Sequence, residues 1–238
     1  IVSPIAEYGE LCGLLFENYI PVFCDTEPDT GLISARTIEP CVTERTRAIL
    51  AVNFFGLPCD FDPIMELARK HNIIVIEDVC QSILSTYKGR LSGSLADIAV
   101  FSFDSEKTLG GDMGGAVVMD DEDLYYRLVN RALARGAKDF PGFGRKHLYR
   151  GVALRAPQCT AATTMANWEI LPRQVENRQR MARLLDAKLE GIEGVIPYRV
   201  PENRTHSYWM YGFSVDPGKF VCTPAELANE LNRAGIPC

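Results

Sequence analysis

No Cys-x-x-Cys pair occurs in this 238-residue chain, although it holds eight cysteines, at positions 12, 24, 41, 59, 80, 159, 222 and 238. Zinc sites and disulfide frameworks draw on close, regular cysteine spacing, so neither is expected and no metal is assigned. Several of these thiols sit inside apolar runs, as buried reduced side chains do. No apolar stretch approaches the length of a membrane span, and the start lacks the basic and apolar regions of a signal peptide, which makes a cytoplasmic location the expectation. Positive charge is not in excess: Lys+Arg 25 against Asp+Glu 31 gives −6, which argues against a nucleic-acid partner and shows no membrane-surface patch. No Gly-x-Gly-x-x-Gly opens a helix after a strand, and the glycines of Gly110 to Gly115 fall in the wrong order, so a nicotinamide-dependent oxidoreductase is discounted. Internal repeats and low-complexity segments are also missing.

What remains is a chain with 47% apolar residues, enough to bury the core of one large domain and part of another. Strand and helix patterns alternate, as an α/β sheet requires. Strands are expected at Ile20–Asp25, Arg47–Phe55, Asn72–Asp78, Asp97–Phe103 and Ala116–Met119. Helices are expected at Ala35–Val42, Asp62–Asn72, where Ile64, Leu67 and Ala68 share one face, and Glu122–Arg135. Gly136–Gly151, rich in glycine and basic residues, reads as a long loop. Gln158–Glu190 is helical in pattern, with Pro172 expected as a break between two helices. His206–Val215 alternates as a strand, and Thr223–Ala234 reads as a helix capped by Thr223-Pro224-Ala225-Glu226. These elements divide into residues 1–157, a large domain with a mostly parallel sheet flanked by helices, and 158–238, linker helices and part of a smaller α+β domain.

One constellation points to chemistry. Asn72-Ile73-Ile74-Val75-Ile76-Glu77-Asp78 is a β-branched apolar run ending in two carboxylates, the pattern of a buried parallel strand. Asp78 then sits at the carboxyl end of that strand, where open α/β sheets bind their ligands. A second run delivers Ser102 and Lys107 toward the same edge. A lysine for a Schiff base and an acid for a pyridinium nitrogen are the two groups that pyridoxal phosphate requires of a protein. Taken singly, Asp78 would more often cap a following turn, Gln81 and Ser102 would be ordinary turn and strand residues, and Lys107 a solvated charge. Cys80, inside the same segment, reads as a small apolar packing group.

The residues from about Ile20 to Cys238 resemble the DegT type of nucleotide-sugar aminotransferases, pyridoxal phosphate enzymes of the aspartate aminotransferase fold. The resemblance is carried by Pro21-Val22-Phe23-Cys24-Asp25, by Asp60-Phe61-Asp62-Pro63-Ile64-Met65-Glu66-Leu67-Ala68, and by Glu77-Asp78-Val79-Cys80-Gln81. It continues through Tyr87-Lys88-Gly89, Phe101-Ser102-Phe103, Lys107 and Gly114-Gly115-Ala116-Val117-Val118, and the spacing from Asp78 to Lys107 is also the family's. The resemblance implies that Asp78 faces the ring nitrogen of pyridoxal 5'-phosphate, that Gln81 lies beside its phenolic oxygen, that Ser102 binds its phosphate, and that Lys107 forms the internal aldimine and then moves the proton. Tyr8 is the candidate for the aromatic residue stacked on the ring, with a core tyrosine as the equal alternative. A nucleotide-linked keto-sugar, glutamate or glutamine as amino donor, and a homodimer with shared active sites are implied as well.

The chain departs from that family in ways that bear on function. The family's N-terminal phosphate-binding helix start is expected upstream of Ile1, and its small domain continues beyond Cys238, so the sequence reads as part of a longer product or as lacking those parts. Gly151-Val152-Ala153-Leu154-Arg155 stands where Gly-x-Asn-x-Arg is usual: Ala153 replaces an Asn, at a cost of about 1.5–3 kcal/mol for a hydrogen bond to an ionised group, while Arg155 is retained. His206 falls where the family places residues near the substrate entrance, with a strand-end histidine equally compatible. Arg145, Lys146, His147 and Tyr149 suit a diphosphate or, more simply, a solvated basic loop. Lys107 argues against the sugar-dehydratase branch, which carries His there. The alternative of another class is a degenerate, non-catalytic relative that binds a partner or acts as a scaffold.

Overall fold

The computed structural model describes residues 1–133 and 149–238. Helices α1 (Tyr8–Phe16) and α2 (Ala35–Ile38) precede strand β1 (Ala48–Val52), helix α3 (Phe61–His71) and strand β2 (Ile74–Asp78). Two short strands, β3 (Thr86–Tyr87) and β4 (Arg90–Leu91), lead to β5 (Ile98–Ser102), β6 (Gly115–Met119) and α4 (Glu122–Leu133). The long α5 (Gln158–Leu189) is followed by β7 (Val195–Pro197), β8 (Arg204–Thr205), β9 (Phe213–Val215) and α6 (Pro224–Arg233).

The main sheet has the order β1-β2-β5-β6. Its first two pairings are parallel and β6 runs antiparallel to β5, the mostly parallel α/β arrangement expected from the alternation of elements. The register places Asp78 level with Val52 on one side and Val100 on the other, so the ends of β1, β2 and β5 share one edge. Gly115 pairs with Ser102 because the strands close tightly there: a Cβ would stand 2.4 Å from the Phe101 carbonyl oxygen. Helix α3 buries Phe61, Ile64, Leu67 and Ala68, and its face joins Ile49, Ala51 and Val75 of the sheet in the main core. Asn72 ends that helix in the left-handed region, φ 53°, which leaves the chain free to reverse into β2.

Several expected elements differ. Ile20–Asp25 is not a strand but makes a single parallel bridge between Phe23 and Val2, which also bridges to Leu50. Pro4 follows closely after Val2 and has no N–H to extend the ladder. The predicted Ala35–Val42 helix tightens to a 3-10 turn at Glu39–Cys41, where Pro40 interrupts the α ladder. His206–Val215 is not one strand: Tyr208 takes φ 51°, and the segment after β8 leaves its sheet to re-enter another as β9, paired with β7. The capped helix near the C-terminus forms as expected, with a capping box between Thr223 and Glu226.

Pro172 does not break the helix: α5 runs through it for 32 residues. A proline inside a helix costs about 3 kcal/mol. Leu171, fully buried, and Val175 offset that cost by packing with Leu109 against Ile83, Leu84 and Phe103. The remote strand β8 is clipped down in a similar way. Arg204 donates to the Pro58 carbonyl at 2.9 Å and pairs with Asp60 at 3.3 Å, which also accepts from the hydroxyl of the fully buried Tyr87.

Leu171→Ala is expected to cost about 2–5 kcal/mol by opening a cavity under α5. Met181→Ala, on the exposed part of the same helix, should change stability by no more than about 0.5 kcal/mol. Denaturant midpoints of the two variants check the contrast.

Candidate active site

Successive residues of a strand point to opposite faces, and the end of β2 shows the consequence. Glu77 turns inward, fully buried, and accepts hydrogen bonds from Asn53 Nδ2 at 2.9 Å and the Leu95 N–H at 3.1 Å. Burial raises its pKa against the pull of those donors. Asp78, also buried, turns the other way, and its Oδ1 accepts the Cys80 N–H at 2.8 Å. That contact is the turn-capping role open to any acid after a strand, and it fixes the carboxylate while using one of its two oxygens.

The group opposite Asp78 is one that no sequence motif marked. Glu10, from α1, brings its carboxyl against that of Asp78, and its Oε2 is buried without a hydrogen-bond partner among the described residues. Burial first, and then the Asp78 charge, push the Glu10 pKa up to about 8, so Glu10 carries a proton at neutral pH. Tyr8 stands at the first position of the same helix with its ring largely exposed, whereas Glu10 is the α1 side chain that meets Asp78. The helix went unforeseen because Gly9 and Gly13 are weak helix formers.

Gln81 is buried, and its Oε1 accepts the N–H of Phe55, a residue held at φ 57°. This bond orients the amide and leaves Nε2 as its donor end. Ser102 ends β5 half-buried, and its Oγ accepts the Asp104 N–H at 3.3 Å. Asp104 in turn accepts the Glu106 N–H on its side chain at 3.0 Å and the Lys107 N–H on its carbonyl at 3.1 Å, folding the chain into the turn that presents Lys107. Lys107 Nζ lies 4.6 Å from the centre of the Trp209 ring. Beside this turn a cavity of about 500 Å³ opens against α5, lined by Lys107, Thr108, Gly110, Asn167, Gln174 and Arg178 among others.

Cys80 links the two halves of the constellation. Burial and the neighbouring Asp78 push its thiol far above the thiolate range, Lys107 opposes that shift, and Glu10 adds to it. The thiol therefore stays protonated, beside Asp78 and within the reach of the Lys107 and Glu10 charges. His206 belongs elsewhere: it is buried, its Nδ1 accepts the Tyr208 N–H at 2.9 Å, and burial lowers its pKa to about 3. It is a neutral packing group stacked on Tyr208. Ala153 and Arg155 are exposed on a segment hydrogen-bonded to the end of α4 through Val152 and Leu154. Tyr149 is exposed near Arg131, and Arg145, Lys146 and His147 lie outside the described residues. Among the described residues no group of His, Cys, Asp and Glu is placed to hold a metal, and no helix is long and apolar enough to cross a membrane.

The raised Glu10 pKa has a pH signature in the cofactor-free chain. A carboxyl that holds its proton more tightly when folded stabilises the fold fully below its ordinary 4.5 and loses that contribution as pH rises through about 8. Melting temperature is expected to fall across that window, and Glu10→Gln should flatten the fall and raise stability at its alkaline end. Identical profiles for the two proteins would show that the carboxyls do not meet in solution.

The DegT/DnrJ/EryC1/StrS aminotransferase family matches residues 14–238. GDP-perosamine synthase of Caulobacter vibrioides is 33% identical over 219 residues, covering 91% of this chain and 57% of its own length. UDP-2-acetamido-2-deoxy-3-oxo-D-glucuronate aminotransferase of Pseudomonas aeruginosa is 33% identical over 220 residues, covering 91% of this chain and 57% of its own. An aminotransferase structure from Psychrobacter cryohalolentis superposes with a TM-score of 0.88 at 27% identity, over 100% of this chain and 65% of that one. The chain thus spans less than two thirds of these relatives, and over nearly all of its own length it belongs to the DegT/DnrJ/EryC1/StrS family of aminotransferases.

Proposed function

We propose that this chain carries the cofactor-binding part of a pyridoxal 5'-phosphate-dependent aminotransferase that passes an amino group from glutamate or glutamine to a nucleotide-linked keto-sugar. The observation that carries the reading is the buried Asp78 carboxylate at the carboxyl edge of the sheet, with the Lys107 turn leaving the same edge after the neighbouring strand β5. The residues fit the cofactor on one specific ground. Asp78 has a single N–H donor from the protein and faces a carboxyl whose buried oxygen is unpartnered among the described residues. The Cys80 N–H takes Oδ1 of Asp78, and a pyridinium nitrogen would donate a charged N–H to the carboxylate.

When bound, pyridoxal phosphate supplies an aldehyde that exchanges amines and a protonated ring that accepts carbanion electrons. Asp78 keeps the proton on the ring nitrogen. Gln81, oriented by the Phe55 N–H, offers Nε2 to the phenolic oxygen, and the Ser102 hydroxyl binds the phosphate. Tyr8 is proposed as the aromatic group against the ring. Lys107 Nζ removes a proton from the donor's α-carbon and, in the second half of the reaction, delivers one to the sugar carbon that receives nitrogen. Cys80, its thiol protonated, excludes water beside the acid without competing as a nucleophile.

The reading includes a homodimer that shares its sites. Exposed Met165 and Trp168, adjacent on one face of α5, together with exposed Tyr125 and Tyr126 on α4, supply the apolar surface such an association would bury. GDP-perosamine synthase and the glucuronate aminotransferase supply the substrate class by their names.

Borohydride reduction after addition of pyridoxal phosphate is expected to leave the label on Lys107 by peptide mapping, and Lys107→Ala should remove both the label and the visible absorption band. In an active full-length protein, Lys107→Ala should lower amino transfer about 10²–10⁴-fold, the share of a positioned acid–base group. A label distributed over surface lysines, with no change in Lys107→Ala, would overturn the assignment.

A further inference from the structure

The segment between β8 and β9 is fastened to four distant parts of the chain, and the fastenings converge on one side chain. Ser207 N–H donates to the Gly56 carbonyl at 3.0 Å and Met210 N–H to the Phe55 carbonyl at 3.3 Å. From α5, Arg178 Nη1 donates to the carbonyls of both Tyr208 and Trp209, each at 3.0 Å, and Gln179 donates to the His206 carbonyl. Ser207 Oγ reaches the Gln81 carbonyl at 3.3 Å. Together these contacts hold Tyr208 at φ 51°, a conformation that a bulky side chain avoids unless its surroundings impose it.

The product of that arrangement is the position of Trp209. Its indole N–H donates to the Glu106 carbonyl at 3.0 Å, which ties the ring to the residue preceding Lys107. Its face lies under Lys107 Nζ at 4.6 Å, within the range where a cation is attracted by the ring quadrupole. The ring is half-buried, so the ammonium is partly shielded from water while it rests there.

We propose that Trp209 is a positioning residue for Lys107: its ring is the resting place of the free Lys107 ammonium, holding that group at the edge of the site between its two proton transfers. The inference rests on the assignment of Lys107 as the reacting amine. A π face attracts the ammonium, and at 4.6 Å the ring holds it there. The indole N–H bond ensures that ring and lysine turn move as one body. The charged and titratable groups around Lys107 are Cys80, with Asp78 and Glu10 beyond it, on the sheet side, Glu106 in its own turn, and Arg178 across the cavity from α5.

The chain has two tryptophans, so Trp168→Phe, which keeps an aromatic ring at its position, leaves Trp209 as the single tryptophan. In that background, at constant neutral pH, Lys107→Met should change the Trp209 emission of the cofactor-free protein by removing the cation from its ring. Superimposable emission spectra would overturn the proposal. A second readout tests the restraint: reductive methylation with formaldehyde and borohydride, read at Lys107 by peptide mapping, should be about threefold faster in Trp209→Leu and near the parent rate in Trp209→Phe, which keeps a π face. Equal rates in all three would also overturn it, and if Trp209→Leu does not fold, the Trp209→Phe and Lys107→Met results still decide. Neither measurement uses pyridoxal phosphate. An emission change in Lys107→Met while the cofactor labels another lysine would refute the aminotransferase role of Lys107 and reduce the Trp209 contact to packing.

Discussion

One buried carboxylate sets the geometry on which the rest depends. Glu77 has no exposure, and an acid in that position is tolerated only where its oxygens are hydrogen-bonded. Asn53 supplies one of those bonds and is itself bound from three further directions. Its Nδ2 also reaches Ser82 Oγ, its Oδ1 accepts the Cys59 N–H, and its backbone N–H donates to the Asp78 carbonyl. The ends of β1 and β2 are locked together by this network. Because side chains alternate along a strand, locking Glu77 inward obliges Asp78 to face outward, and the orientation of the candidate site follows from the satisfaction of a neighbouring charge.

The second constraint is the attachment of the Lys107 turn. After Ser102 the chain leaves the sheet, and the turn is closed by Asp104 from below and by α5 from the side. Phe103 accepts the Gly111 N–H and donates to the Gly114 carbonyl, and Asn167 Nδ2 reaches the Gly110 carbonyl at 2.6 Å. Gly111 sits so close to α5 that a Cβ would stand 2.1 Å from Thr164 Oγ1. A continuous α5 is therefore part of the site: a helix broken at Pro172 would divide Asn167 from Arg178, the two residues that fasten the Lys107 turn and the Trp209 segment.

Much of this was legible in the sequence because it was local. The apolar run ending in Glu77-Asp78, the amphipathic face of Ile64, Leu67 and Ala68, and the Thr223 cap are written in neighbouring residues, and each forms as an element at or near its expected bounds. Two readings failed because a distant contact had overridden a local preference. Pro172 signals a break, and buried Leu171 and Val175 outweigh it. The alternation from His206 to Val215 signals a strand, and the anchors from Gly56, Phe55 and α5 fold Tyr208 into a turn instead. Glu10 carried no signal, since nothing in its neighbours indicates that Asp78 lies across from it.

By itself the sequence determined the main-sheet strands β1, β2, β5 and β6 with helix α3, the carboxylate at the end of β2 and the lysine downstream of it, because periodicity, capping and strand alternation act over a few residues. The tertiary structure alone decided which groups meet: the Glu10 carboxyl against Asp78, the Trp209 ring under Lys107, and the unbroken α5 that braces the turn. These depend on contacts between segments far apart in the chain, whose strength comes from burial and shielding from water that exist only once the fold has closed.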